Sequence, residues 1–347
     1  MTLPLSVLDL SPVPSGSSGA QALQRTLDLA RFTDRLGYTR YWMAEHHNMA
    51  SVVSSAPEVL LGALATQTRR IRIGSGGIML PNHSPLKVAE TFRTLAGLAP
   101  GRVDLGLGRA PGTDQVTALA LRRNQEAVYA DDFPQQLAYL RAFSGEGEFP
   151  DGHPFARVQA SPVDVPLPPL YLLSSSGYSA RLAAQLGLGF AFAHHFSPAA
   201  AAESMQMYRD EFQPSEAFPE PHAILTVAAA VADTDEEADH LARTLDLMTL
   251  NIRSGRRSPL PSPEEALAYP YSPAELAFVQ ANRRNQFIGT PDVVRERLLA
   301  LATDLQADEL MITTNLHSHE ARKHSYALLA RAFGLQEQAT AELVSGR

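Results

Sequence analysis

Ser174 to Ser179 form a polar run of residue types that bind phosphate groups. The run has the sequence SSSGYS and lies between an apolar stretch and a predicted helix start. Free backbone N–H groups and the helix dipole favour phosphate at such a position, and serine hydroxyls add further donors. Capping of the helix by one serine is the alternative, but a run of serines with a glycine exceeds what a cap needs. The pattern favours phosphate binding, with Arg109 as the countercharge.

Arg109 belongs to a second segment, GLGRAP, which runs from Gly106 to Pro111. Its glycines match the first two of a dinucleotide-binding fingerprint, but Pro111 takes the place of the third and the segment follows the fourth predicted strand. A Rossmann site is therefore not predicted. Either the glycines admit an anionic or planar ligand while Arg109 binds its phosphate, or they form a structural turn beside a salt-bridged arginine. Gly76 and Gly77 also have two interpretations. They either provide backbone that a flat ligand can contact, or form a bulge in a strand.

His46 is the candidate for proton transfer. It lies in the run Glu45-His46-His47, directly after a predicted strand. Adjacent histidines in an extended segment point to opposite faces, so at most one of each pair can face a common centre. A single general acid/base at His46 therefore fits better than a metal site, although a structural histidine is equally compatible with the sequence. A metal-dependent hydrolase would draw on the other histidines at or just beyond predicted strand ends, which are His194, His195, His317 and His319.

Eight short apolar runs that alternate with helical patterns must position these residues. One predicted helix runs from Pro85 to Leu98, with Val88, Phe92 and Leu95 on its buried face. The alternation predicts an α/β fold, a (β/α)8 TIM barrel, whose strand ends carry the chemistry. The predicted strands are residues 5–10, 40–44, 71–73, 102–107, 170–173, 189–193, 224–231 and 309–314.

Two proline-rich segments interrupt the alternation. Residues 147–169 are predicted to form an ordered surface excursion or a small hairpin. Residues 253–286 are predicted to form an insertion that covers the site or contacts a partner. Neither marks a change in composition, so residues 1–347 are predicted to form a single domain with insertions at these two places.

Composition excludes several classes of protein. The net charge of -8 argues against nucleic-acid binding, which requires basic surface. The absence of cysteine excludes disulfides, thiolate nucleophiles and Cys-ligated metals. The longest apolar run, residues 223–232, is too short for a membrane span, so a cytoplasmic protein without membrane contact is expected.

Several motifs together resemble the bacterial-luciferase-like flavin-dependent oxidoreductases, over nearly the whole chain. In order along the sequence they are RYWMAEHHN, IRIGSGGIMLPNHSPLKVAE, GRVDLGLGR, LLSSSGYSARLAAQLGL and FIGTPDVVRERL. The likeness is greatest to the single-chain bacterial members called luciferase-like monooxygenases. The resemblance implies a luciferase-like TIM barrel that holds FMN in its mouth.

The resemblance also implies roles for individual residues. Gly76 and Gly77 match a pair that often forms a non-prolyl cis peptide against the flavin ring, and His46 matches an acid/base near the flavin. Two departures from the luciferases are Gly108, at the position of a reactive cysteine, and Ser175, at the position of a glutamate. Light emission with an aldehyde is therefore not expected. The FMN phosphate would be held by Arg109, Ser175, Ser176 and Ser179.

The activity that the resemblance implies is oxygenation of a small organic substrate by reduced FMN and O2. Reduced flavin would come from a partner flavin reductase or be formed in place from NAD(P)H. Hydride transfer with a flavin or deazaflavin on the same fold, and a non-catalytic flavin-binding protein, are the alternatives. A homodimer is also implied.

Overall fold

The computed structural model describes residues 3–336 of the chain. The predicted single domain also includes residues 1–2 and 337–347, which lie outside the described part. The strands are β1 (Leu5–Asp9), β2 (Arg40–Met43), β3 (Arg72–Ser75), β4 (Ile78–Met79), β5 (Val103–Gly108), β6 (Leu170–Ser174), β7 (Gly189–Ala193), β8 (Ala223–Val231), β9 (Phe287–Gly289) and β10 (Glu309–Thr313).

Helices connect most of these strands. They are α1 (Gly19–Leu36), α2 (Pro57–Gln67), α3 (Pro85–Leu98), α4 (Gln115–Arg122), α5 (Gln125–Tyr129), α6 (Phe133–Phe143), α7 (Gly177–Gln185), α8 (Ala201–Asp210), α9 (Asp235–Arg253), α10 (Pro263–Ala268), α11 (Pro273–Arg283), α12 (Pro291–Asp304) and α13 (His319–Ala332).

The strands form a closed parallel barrel. Strands β1, β2, β3, β5, β6, β7 and β8 pair in that order, and β10 pairs with both β8 and β1. The ring therefore contains eight strands within the described residues, and the (β/α)8 barrel predicted from the sequence is confirmed. The short strands β4 and β9 lie outside the ring, where they pair with β5 and β8. All eight predicted strands are present.

Local sequence explains how the helices begin and end. Helix α3 has its first-turn proline at Pro85 and buries Val88, Phe92 and Leu95, as predicted. Ser84 occupies the N-cap position but its side chain makes no capping hydrogen bond. Helix α1 ends at Gly37, which adopts φ of 84°, the left-handed conformation that glycine tolerates best.

The two largest apolar clusters of the core lie on either side of the strands. A large apolar cluster fills the space between the outer faces of the strands and the helices, and a smaller one that includes Trp42, Tyr171 and Met311 fills the barrel interior. The interior also holds charge, because Arg40 on β2 donates hydrogen bonds to Asp104 at 2.8 Å and to Glu309 at 2.9 Å. These pairs join three strands of the ring across its inside.

The two proline-rich segments differ in structure. Residues 147–169 contain no helix or strand, and Arg93 of α3 holds them by donating to the carbonyl oxygens of Ala160 (3.0 Å) and Val163 (2.6 Å). Residues 253–286 contain helices α10 and α11, which the sequence analysis did not predict. No helix among residues 3–336 is both long and apolar enough to cross a bilayer.

Candidate active site

A cavity of about 220 Å³ opens at the carboxyl ends of the barrel strands. Its floor is apolar and includes Leu8, Trp42 and Met311, all within the barrel interior cluster. Six of the seven residues that the sequence analysis selected lie on its wall: His46, Gly76, Arg109, Ser175, Ser176 and Ser179. We call this the first cavity.

Gly77 is the selected residue that the structure does not place on this wall. The Gly76–Gly77 peptide bond is cis, as the resemblance implies. A side chain on Gly77 would place its Cβ 2.8 Å from the carbonyl oxygen of Gly106 on the neighbouring strand. Gly77 is therefore required by close packing against β5, and Gly76 faces the cavity.

Arg109 follows β5 directly and lies beside the start of α7. Its guanidinium carbon is 4.3 Å from the centre of the Tyr178 ring, a cation–π contact that fixes it next to the first turn of that helix. The one ion pair that the described residues give it is with Asp131, at 3.6 Å. Both side chains are exposed, so the pair contributes little and leaves the guanidinium able to bind an anion.

The serine segment forms a tight turn into α7. The hydroxyl of Ser174 donates to the carbonyl oxygen of Ser176 at 2.7 Å and accepts from the Ser176 N–H at 3.0 Å. The helix begins at Gly177, so the last three residues of the polar run belong to its first turn. Ser176 occupies the N-cap position without a side-chain cap bond, so its hydroxyl and the first N–H groups of α7 remain available to an anion.

Two neutral histidines line the first cavity. The backbone N–H of His46 donates to the carbonyl oxygen of Ser54 at 2.8 Å and so fixes this residue in the loop. Burial lowers the pKa of the His46 imidazole. His195, after β7, has its Nδ1 3.2 Å from the carbonyl oxygen of Thr226, and burial lowers its pKa to about 4. Both rings are therefore uncharged at neutral pH and can accept a proton.

A buried carboxylate holds the loop that carries His46. Glu45 accepts hydrogen bonds from Nε2 of His47 at 2.8 Å, from Nε2 of His83 at 2.9 Å and from the Met79 N–H at 2.8 Å. Burial opposes its charge, but the hydrogen bonds from the two histidines lower the pKa of Glu45 to about 2. The ionised carboxylate ties the loop after β2 to β4 and to the segment before α3.

A second cavity, of about 720 Å³, adjoins the first. The two share Leu10, His46, His195 and Phe196. Its outer wall comes from α9, α11 and residues 255–259, so the segment at 253–286 contributes to this cavity. Methionines line both spaces: Met79 and Met311 in the first cavity, and Met49 and Met248 in the second.

The sequence analysis missed His195 and most of the second cavity. His195 was considered only as a metal ligand, and no sequence signal distinguished it from the adjacent His194, which packs toward Phe287. In the part of the chain that the structure describes, no group of three or more histidine, aspartate or glutamate side chains is placed to hold a metal ion.

Most of the chain is similar to known monooxygenases. The sequence model of the family described as luciferase-like monooxygenase matches residues 3–309. The chain is 42% identical over 327 residues to a luciferase-like monooxygenase of Escherichia coli strain K12, covering 94% of this chain and 96% of that one. It is 36% identical over 330 residues to the N-acetyl-S-alkylcysteine monooxygenase of Bacillus subtilis strain 168, covering 94% and 97%.

Solved structures share the barrel. The crystal structure of apo-MsnO8 superposes with a TM-score of 0.88 at 40% identity, over 97% of this chain and 99% of that one. The oxygenating constituent of 3,6-diketocamphane monooxygenase from Pseudomonas putida, solved with FMN, has the same fold with a TM-score of 0.70 at 18% identity, over 95% and 97%. The family match and the identities over nearly the full length show that this chain belongs to the luciferase-like monooxygenase family.

Proposed function

We propose that this protein is an FMN-dependent monooxygenase that uses reduced FMN and O2 to oxygenate a small organic substrate. Support comes from the two relatives whose names are those of monooxygenases, and from the FMN bound to the more distant Pseudomonas putida protein. The observation that carries the proposal is the arrangement at α7, where Tyr178 holds the Arg109 guanidinium beside free helix N–H groups and serine hydroxyls.

The residues of the first cavity fit the two ends of FMN. Arg109, Ser175, Ser176 and Ser179 would hold the phosphate, because a guanidinium, hydroxyls and helix N–H groups are donors that suit a dianion. The apolar wall that includes Trp42 would take the flavin ring. When bound, reduced FMN supplies the electrons that activate O2.

The protein supplies a dry site and a place for a proton. The apolar floor of the first cavity would keep water from the reacting atoms. His46, whose pKa burial lowers, is neutral near pH 7 and can take up a proton at its imidazole during the reaction. The second cavity opens onto the same histidine and would receive the substrate.

The test is a titration of the purified protein with oxidised and reduced FMN, followed by absorbance. We expect binding at micromolar concentrations, and the absence of binding by either form would overturn the proposal. Incubation of the FMN-loaded protein with a flavin reductase, NAD(P)H, 18O2 and candidate substrates then separates the activities. Incorporation of 18O into product supports a monooxygenase, whereas substrate reduction or oxidation without 18O identifies hydride transfer, and no turnover identifies a binding protein.

Replacement of His46 separates catalysis from binding. We expect His46→Asn to reduce product formation by about 10²- to 10⁴-fold, the usual contribution of a positioned acid/base. FMN affinity should stay within about threefold, because binding depends mainly on the phosphate site. Equal loss of FMN affinity and turnover would instead assign His46 a binding role.

A further inference from the structure

The inner wall of the second cavity carries polar atoms without partners. Thr313, Asn315 and Gln286 line this wall and are 3%, 8% and 6% exposed. Among residues 3–336, no group hydrogen-bonds to Thr313 Oγ1, Asn315 Oδ1 or Gln286 Oε1. Buried polar atoms in folded proteins are normally paired, so a ligand with its own hydrogen-bonding group is the partner that this wall lacks.

The rest of that cavity is mainly apolar. Leu245, Met248 and Ile252 project from α9, and Phe278 faces them from α11. These side chains would cover a hydrocarbon part of the same ligand, as apolar walls do in most small-molecule sites.

The rim of the cavity is positively charged. Arg253, Arg256 and Arg257 line it, and in the described residues of the wall they meet one carboxylate, that of Asp114, which is 3.7 Å from Arg257. The chain as a whole carries a net charge of -8, so this rim departs from the general acidity of the protein.

Aromatic contacts hold two of these arginines in place. The Arg253 guanidinium lies 4.2 Å from the centre of the Phe278 ring, and Arg256 donates to the Tyr269 hydroxyl at 3.2 Å. Arg256, fixed in this way, can recognise a carboxylate well, because less side-chain freedom is lost on binding, and Arg257 next to it in the chain adds a second guanidinium.

We propose that the second cavity binds an amphipathic organic anion as substrate: a carboxylate at Arg256 and Arg257, an apolar body along α9, and an amide or similar polar group at Thr313, Asn315 and Gln286. This proposal rests on the proposed monooxygenase function, which it deepens by naming the substrate class.

The test uses calorimetric titration with N-octanoylglycine, which has all three parts, and with its uncharged methyl ester. Both are titrated into flavin-free and FMN-saturated protein. We expect the acid to bind at least tenfold more tightly than the ester. The double variant Arg256→Gln/Arg257→Gln should lose that preference and bind the ester as before. Arg284→Gln, an exposed arginine of the same segment outside the cavity wall, should change neither affinity.

Equal affinity for acid and ester, no binding of either, or the same loss in the Arg284 variant would overturn the proposal. FMN binding is measured separately. Binding of the acid to protein that fails to bind FMN would remove the proposed function and keep the anion site, and the reverse result would remove the anion site alone.

Thr313→Val tests the inner wall. Because valine has nearly the shape of threonine and lacks the unpaired hydroxyl, the variant should be at least as stable as the wild type to heat. It should bind N-octanoylglycine about fivefold more weakly, which corresponds to one hydrogen bond. Affinity for decanoate, which has no amide, should not change. Loss of both affinities, or of neither, would contradict the role assigned to this wall.

Discussion

Arg109 offers a direct test of phosphate binding at the level of one side chain. We expect Arg109→Gln to weaken FMN binding by about 10- to 100-fold, because a hydrogen bond to a charged group contributes about 1.5–3 kcal/mol. Riboflavin, which lacks the phosphate, should bind the variant and the wild type within twofold. Fluorescence titration with both ligands measures the difference.

The matched control for Arg109 is Arg181→Gln. Arg181 lies on α7 and pairs with Glu211 at 2.9 Å, away from the wall of the first cavity. The Arg181→Gln variant should bind FMN and riboflavin as tightly as the wild type does. Equal weakening of FMN and riboflavin by Arg109→Gln would assign this arginine to the structure of the turn rather than to the phosphate.

His195 makes the stability of the protein depend on pH. Burial lowers its pKa to about 4 in the folded protein, whereas the pKa is near 6.5 in the unfolded chain. Below pH 6.5 the unfolded chain therefore binds a proton at this residue that the folded chain does not bind. The resulting loss of unfolding free energy is absent above pH 6.5, grows as the pH falls and is complete below about pH 4. At pH 5 it amounts to at most about 2 kcal/mol.

We therefore expect His195→Asn to reduce the difference in unfolding free energy between pH 7 and pH 5, measured with urea. Asparagine does not titrate, so the variant lacks this contribution to the dependence of the unfolding free energy on pH. The exposed His324→Asn is the control and should leave the difference nearly as it is. If His195→Asn left this difference unchanged, the His195 ring would have the same pKa in the folded and unfolded chains.

At the level of elements, Arg93 links α3 to the segment 147–169. Arg93→Lys should lower the free energy of unfolding by about 2–4 kcal/mol, since the carbonyl oxygens of Ala160 and Val163 would no longer share one guanidinium donor. The segment should also become sensitive to trypsin at the exposed Arg157. Thermal unfolding and limited proteolysis measure both effects.

Lys87→Gln, on the exposed side of the same helix, is the control for Arg93 and should change stability by less than about 0.5 kcal/mol. If Arg93→Lys left cleavage at Arg157 unchanged, the segment would be held by its prolines and local turns instead.

The eight barrel strands were predictable because most of them are short, largely apolar runs that are buried on both faces. Strands β4 and β9 were missed, since two or three residues such as Ile78 and Met79 show no period. Helices α10 and α11 had a usable signal. Ser262 with Glu265, and Ser272 with Glu275, form capping boxes, and the spacing of serine and glutamate is visible in the sequence.

The candidate site was predictable in part. Motif resemblance selected six residues that the structure brings to one cavity, although they come from four separate segments. The second cavity had no such signal. Its unpaired Gln286 and Thr313 are distant in sequence, and burial without a partner is a property of the folded chain alone.

At the level of the whole molecule, the charges inside the barrel tie its strands together. Asp104 accepts from Arg40 at 2.8 Å, from Arg72 at 3.0 Å and from the Trp42 indole at 3.1 Å. Asp104→Asn should lower the free energy of unfolding by about 3–5 kcal/mol, because it removes one of the two carboxylates that balance buried Arg40 and the carboxylate that pairs with Arg72.

Urea unfolding measures this loss. The control is Asp131→Asn, whose exposed carboxylate should contribute less than about 0.5 kcal/mol. A small effect at Asp104 would indicate that Glu309 alone balances Arg40, and that the ring closes without the full network.

Under the proposed monooxygenase activity, the methionines around the two cavities would limit how long each molecule works. Met49, Met79, Met248 and Met311 are four of the eight methionines in a chain without cysteine. Any oxidant released before it reaches a substrate would meet these thioethers first and convert them to polar sulfoxides. Each such event would alter the wall for the next substrate. The number of turnovers that release oxidant without oxidising substrate, rather than the elapsed time, would then determine how long each molecule stays active.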